Sequence, residues 1–248
     1  MSARIANHLV TMRSEDGAMR IILAFCLATG LIAVPATAAE RSYTLTSFDR
    51  IRVEGPHAVN LTTNRSPFAR ATGSSRAIEG VSLRVEGRTL YVRADRSAWG
   101  GNPDQPAGPV VISIGTYELA QASLSGAGSL AIDRLRGLSF GLVVSGSGSA
   151  TVADVQIDTL RVSVAGSAQV KLAGRAKQFT ALVRGAGGVE SPGLAVKDAV
   201  LSAHGPATIR AAASNSAKIT ASGTASVAIE GGAACTLKVS GSASVTGC

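Results

Sequence analysis

Large rings are scarce in this chain of 248 residues: one Trp, three Tyr and five Phe, 4% of the total. That excludes a core built on aromatic packing and leaves small and β-branched side chains to fill the interior. Cysteine is equally thin, with three residues, so neither a dense disulfide scaffold nor a cysteine-rich zinc site can be assembled. Charged residues make up only 16%, and the basic ones are scattered. Without a Lys/Arg run interleaved with aromatics, nucleic acid is not an expected partner. HExxH and CxxC are both missing. No catalytic, cofactor-binding or metal-binding residue is therefore assigned, and no cofactor is expected. Only one long apolar run occurs, Ile21 to Val34, which is short for a membrane span.

What the chain has in abundance is glycine, 28 residues. A small-residue corner recurs at Gly126, Gly146, Gly166, Gly185, Gly205, Gly223 and Gly241, every 18 to 20 residues, in contexts such as Val-Ser-Gly-Ser-Gly-Ser and Val-Ser-Gly-Ser-Ala. A fixed short period of this kind signals a solenoid, whose coils cannot bury their apolar faces alone. Two residues before each corner lie Leu124, Val144, Val164, Val183, Ala203, Ala221 and Val239. The positions four before and four after each corner are apolar in every copy as well, from Ala122 and Leu130 to Leu237 and Val245. Small or polar residues mostly alternate with them. Period two means strands with one buried face. The glycine sits where the chain must bend, since it reaches positive φ without steric cost. Stacked about 4.8 Å apart, seven coils predict a rod on the order of 35 Å long.

Residues 1–39 read as leader and signal peptide. Met19 is the expected true start, Arg20 the positive region, Ile21–Val34 the apolar region and Ala36-Thr37-Ala38 the cleavage motif. Phe25 precedes Cys26, which argues against lipidation. Export would place Cys235 and Cys248, which bracket the last corner, where disulfides persist, and a bridge between them is expected. The full chain carries a formal charge of +8, of which the leader contributes +1. The basic excess admits an acidic glycan or anionic lipid headgroup as partner, or none.

Residues 40–248 read as one solenoid domain. The stretch 119–248 forms the regular coils, and 40–118 forms irregular first coils with a hairpin around Gly87-Arg88. A loop rich in Gly and Pro holds Trp99, either stacked on a sugar or pinning the loop to the body. The opening strand Phe48-Asp49-Arg50-Ile51-Arg52-Val53-Glu54-Gly55, with the Ser-Gly-Ser-Gly and Ser-Gly-Ser-Ala corners, resembles the GIN-domain family (putative autotransporter adhesin head domain). The resemblance spans about residues 45–247. It implies an all-β, right-handed parallel β-helix-like solenoid at the cell envelope or surface, with no established enzymatic activity.

Parallel β-helices also carry polysaccharide lyases and hydrolases, so the acids matter. Past Gly115 they are Glu118, Asp133, Asp154, Asp158, Glu190, Asp198 and Glu230. Asp133 and Asp154, placed similarly after their corners, are expected as neighbours on adjacent coils, with Asp158 further along. Glycoside hydrolysis needs a defined carboxyl pair, and this patch is more simply a solvated turn. His57 and His204 read as non-catalytic. Gly185-Ala186-Gly187-Gly188 follows a strand but opens no helix, so it is no phosphate loop. The resulting expectation is a non-catalytic exported protein of periplasm, surface or medium, binding an envelope protein or an anionic glycan. The alternatives are a carbohydrate-active β-helix enzyme, or a structural solenoid self-associating through its ends. No transmembrane segment is expected after the leader.

Overall fold

Residues 39–95 and 108–248 are described by the computed structural model. Trp99 and the expected leader up to residue 38 lie outside them, and Ala39 opens the first strand. The chain runs through β1 (Ala39–Tyr43), β2 (Arg50–Glu54), β3 (Ala58–Thr62), β4 (Phe68–Gly73), a one-turn helix α1 (Ser75–Glu79), β5 (Val81–Glu86), β6 (Thr89–Ala94) and β7 (Val110–Gly115). The repeats follow as β8 (Gln121–Gly126), β9 (Ser129–Gly146), β10 (Ser149–Gly166), β11 (Gln169–Arg184), β12 (Gly188–His204), β13 (Thr208–Gly223), β14 (Ser226–Glu230), β15 (Ala234–Gly241) and β16 (Ser244–Thr246). It is an all-β solenoid of about six turns.

Each long strand of the repeat is one coil, running from just past one corner to the next. Neighbouring coils pair in parallel: β9 with β10, β10 with β11, β11 with β12 and β12 with β13. Like residues lie above like. Val164 is opposite Val144 on one side and Val183 on the other, and Gly166 is opposite Gly146. Every corner glycine has positive φ, from +75° at Gly241 to +111° at Gly126. The corners are also bonded from coil to coil. Ser147 N–H donates to the Gly126 carbonyl and Ser167 N–H to that of Gly146, at 3.1 and 2.8 Å.

Two residues beyond each corner a second column of small residues turns inward: Gly128, Gly148, Ala168, Gly187, Ala207 and Ala225. A Cβ on Gly148 would lie 2.5 Å from the Gly128 carbonyl oxygen, so glycine here sets how closely coils approach. The column ends on His57, two residues after Gly55. Gly55 is an eighth corner, with φ +103° and its backbone against Gly126.

The amino-terminal part does not stack in chain order. β2 lies between β8 and β6, and β3 between β9 and β7, all in parallel. The first coil therefore rests directly on the regular array, while β4, α1, β5, β6 and β7 lie over its outer side. There the direction reverses: β5 is antiparallel to β6, β4 to β7, and β1 to β4. Antiparallel strands close the end that a parallel ladder would leave open. The hairpin at Gly87-Arg88 is present, β6 and β7 continue the parallel stack outside β2 and β3, and β1, β4 and β5 fold back over it.

At the other end the stack is open. Leu237 and Val239 occupy columns buried in every inner coil, yet they are 48% and 44% exposed. β15 pairs only with β13, and β16 only with β14. The Cys235–Cys248 disulfide, with its Cα atoms 5.8 Å apart, ties the start of β15 to the residue beyond β16. A loop of 13 residues cross-linked in the unfolded chain stabilises by about 3 kcal/mol on the entropy model. Cys235→Ser/Cys248→Ser is expected to lose about that much in urea titration. Hydrogen exchange should rise first across 234–248 and leave the coils before Gly205 protected. Uniform loss of protection along the array would show that the bridge is not a local clasp.

Candidate functional site

Where the turns after β3 and β7 meet the coils lies a cleft of about 370 Å³. Its shape follows from the turn after β3. Thr63 N–H donates to Asp133 Oδ1 at 2.9 Å, and Thr63 Oγ1 donates to the Arg134 carbonyl at 2.9 Å. Asn64 N–H then donates to the Tyr117 carbonyl and Arg65 N–H to that of Thr116, both at 3.1 Å. This course holds Asn64 at φ +58°, the one non-glycine residue with positive φ among those described. Asparagine tolerates that region better than most side chains. Beneath the turn, the fully buried Thr116 donates its hydroxyl to the Phe48 carbonyl at 2.6 Å. Tyr117 is thereby turned outward.

Leu119 and Leu135, both buried, form the back wall. Tyr117, 57% exposed, stands at one side with its hydroxyl 3.3 Å from Ser66 Oγ. Arg134, Arg136 and Asn64 supply polar edges. Arg134 lies 3.8 Å from Asp154, whereas Arg136 makes no ion pair among the described residues. A second, smaller cleft of about 220 Å³ lies on the other side of Tyr117 and Glu118, between Phe48, Asp49 and Arg88. Asp49 is ion-paired there to Arg88 at 2.7 Å. An exposed ring beside a free guanidinium fork and an amide is an arrangement that stacks on a ring and holds a carboxylate or sulfate by paired hydrogen bonds.

The acids singled out above do not gather. In the register of β9 and β10, Asp154 lies opposite Arg134, one place past Asp133, so the patch is a pairing of acid with base across two coils. Asp133 is taken up by the Thr63 and Arg134 amides. Asp154 accepts from Gln156, and Asp158 pairs with Lys177 at 2.8 Å. Glu190 pairs with Lys171. Asp198 accepts from Ser216 and Asn215 on the next coil, and these bonds, with Lys197 nearby, hold its pKa below the ordinary carboxylate value. The glycines at 185–188 spend amides on neighbouring coils: Gly185 N–H donates to the His204 carbonyl and Gly188 N–H to that of Ala168. Among the described residues, no three His, Cys, Asp or Glu side chains cluster as metal ligands would.

His204 is half-buried, with Nδ1 2.8 Å from Ser222 Oγ on the next coil. His57 is 8% exposed and its Nε2 has no hydrogen-bond partner. Burial lowers its pKa below the ordinary 6.5. The folded protein thus holds His57 neutral at a pH where the unfolded chain is already protonated. Stability from this group is complete above about pH 6.5 and is lost as pH falls from there toward the depressed folded value. His57→Gln should show a smaller fall in melting temperature between pH 7.5 and 5 than the parent. Identical acid slopes would remove His57 from the account.

Neither Tyr117 nor Asn64 stands out in the sequence. The available signal was the turn composition Thr62-Thr63-Asn64-Arg65-Ser66-Pro67 after a period-two strand.

Residues 47–233 match the family model described as putative auto-transporter adhesin, head GIN domain. The chain belongs to that family. No curated protein matches it significantly. Among solved structures, a putative adhesin from Bacteroides fragilis is similar with a TM-score of 0.76 at 20% identity, over 85% of this chain and 96% of that one. A putative lipid binding protein from Parabacteroides distasonis follows at 0.67 and 18%, with the same coverage. A putative adhesin from Parabacteroides merdae gives 0.65 and 19%, again over 85% and 96%. At these identities the likeness is one of fold. The GIN fold here is the solenoid with its antiparallel cover.

Proposed function

We propose that this GIN-domain protein is an exported, non-catalytic binding protein of the cell envelope, and that the Tyr117 cleft receives an anionic glycan. The observation that carries the reading is the cleft itself: an outward ring, a free Arg136 fork and a backbone at Asn64 fixed in an uncommon conformation. Strain of that kind persists only where surrounding bonds impose it, and it collects at ligand sites. The family description supports adhesion, and export rests on the family and on the leader motif. No helix among the described residues is long and apolar enough to cross a membrane.

The test is binding of the purified protein to polygalacturonate and heparin, with dextran as neutral control, at two salt concentrations. Loss of one charge-assisted bond or one stacking ring weakens binding by about tenfold. Tyr117→Ala and Arg136→Glu are each expected to do so, while Lys238→Glu on the terminal coil leaves binding within twofold. Equal affinity of all variants would place the glycan elsewhere, and no binding to either polyanion would remove it as ligand. The enzyme reading has its best location at Asp49 and Glu118, which line the smaller cleft together. Reducing-end release from the same polymers is expected to be nil. Release abolished by Glu118→Gln would replace the binding reading with a catalytic one.

A further inference from the structure

A second groove, of about 370 Å³, lies on a flank of the regular coils and reaches from Gln156 on β10 to Ser214 on β13. It crosses four coils, so it is about 14 Å long at the usual strand spacing. The register explains it. Ile157, Ala176 and Val196 stack in one inward column, whose edges form an apolar floor. The residues on either side of that column point outward and make two rims. One rim carries Arg175 and the other carries Lys177 and Lys197. The trough is open because Ala176 on its floor and Ala195 on its rim are small, and because β12 and β13 slip register just past Val196.

The charge on this groove is one-sided. Three cations face a single carboxylate, Asp158, which Lys177 already satisfies at 2.8 Å. Arg175 and Lys197 make no ion pair among the described residues. An apolar trough favours a hydrocarbon, and at its edge Arg175, with Lys197 beside Asp198, favours an acidic head; a neutral lipid or a free anion would use only half of it. We infer that this groove binds a single-chain anionic amphiphile, its tail along the floor of Ile157, Ala176 and Val196 and its acidic head at the rim, held by the Arg175 or Lys197 side chain. The site is separate from the Tyr117 cleft and does not depend on it.

Dodecyl phosphate below its micelle concentration is the probe, titrated by calorimetry against the purified protein. Dodecyl maltoside supplies the same tail without charge, and inorganic phosphate the head without a tail. Micromolar binding of dodecyl phosphate is expected, with at least tenfold weaker binding of either control. Arg175→Glu/Lys197→Glu should weaken it by tenfold or more. Lys218→Glu/Lys238→Glu makes the same change in net charge on another face and should alter it less than twofold. Ala195→Trp points outward, leaves the fold intact by its melting curve, and should block the trough. Tyr117→Ala should change nothing here, so this site and the glycan cleft fail or stand separately. Absence of dodecyl phosphate binding, equal weakening by both charge-reversed pairs, or maltoside binding as tightly as phosphate would each overturn the assignment.

Discussion

Gly146→Val is expected to destabilise the array by about 4 kcal/mol or more, and two effects add to produce it. Gly146 has φ +104°, a region that costs a β-branched residue about 1–3 kcal/mol to occupy. A Cβ there would also lie 2.6 Å from the Gly126 carbonyl oxygen and 3.1 Å from its nitrogen. Those are backbone atoms of the coil beside it, and they are held by the ladder. The carbonyl in question accepts from Ser147, so moving it away breaks a corner bond as well. Relief requires β8 and β9 to separate, and the Leu124–Val144 contact opens with them. Gly141→Val is the matched control. Gly141 lies in the same strand without positive φ, and its Cβ would meet only Gln121 Cγ at 3.9 Å. A β-branched residue suits that position, so no loss is expected. Gly137→Ala separates the two effects, because Gly137 has φ +137° and open space around a Cβ. It should show the conformational cost alone. Urea titrations of the three variants give the comparison, and a Gly146→Val protein as stable as Gly141→Val would mean that the corners do not set the coil spacing.

The corners and the apolar columns were legible because each coil repeats the same physical problem. A residue such as Val144 must match Val164 above and Val183 beyond it, so the solution recurs at a fixed spacing that a single sequence displays. The small column from Gly128 to Ala225 was equally visible in the Ser-Gly-Ser-Gly wording, although its role in coil approach appears only from the contacts. The order of coils at the amino-terminal end was not legible. β2 and β3 carry the same alternation as β6 and β7, and alternation fixes which face is buried, not which strand lies alongside. The Tyr117 cleft was hidden for the same reason. It exists only because residues far apart in the chain meet there, Asn64 at the carbonyl of Tyr117 and Thr63 at the carboxylate of Asp133. Counting from the corners sets Asp154 eight residues on, level with Arg134 and one place past Asp133, and the coils pair in that register. The exposed Leu237 and Val239 mark another limit, since a repeat pattern gives parity but not whether another coil follows.

Val164→Asp should be the most damaging substitution in the columns. Val164 is 1% exposed, with Val144 and Val183 opposite it on the two neighbouring coils, each fully buried. Nothing in that column offers a hydrogen bond or a positive charge. An aspartate placed there must keep a bare carboxylate out of water or hold its proton, and either course costs several kcal/mol. Val164→Ala provides the baseline for lost packing alone, about 2 kcal/mol from the removed carbons and the void they leave. The excess of the aspartate over the alanine is the electrostatic part, and pH identifies it. The buried carboxyl has a folded pKa raised above its unfolded value near 4, so the folded state binds the extra proton. The excess is therefore largest above the raised folded pKa and shrinks as pH falls toward 4, where the unfolded chain takes up the same proton. Arg161→Asp, three residues earlier and exposed, should cost little at any pH. Chemical denaturation of the three variants at pH 8 and pH 4.5 reads all of this. A Val164→Asp penalty that does not narrow with acid, or equal damage from Arg161→Asp, would mean that the column at Val164 is open to water and that the inward parity of the whole repeat is misassigned.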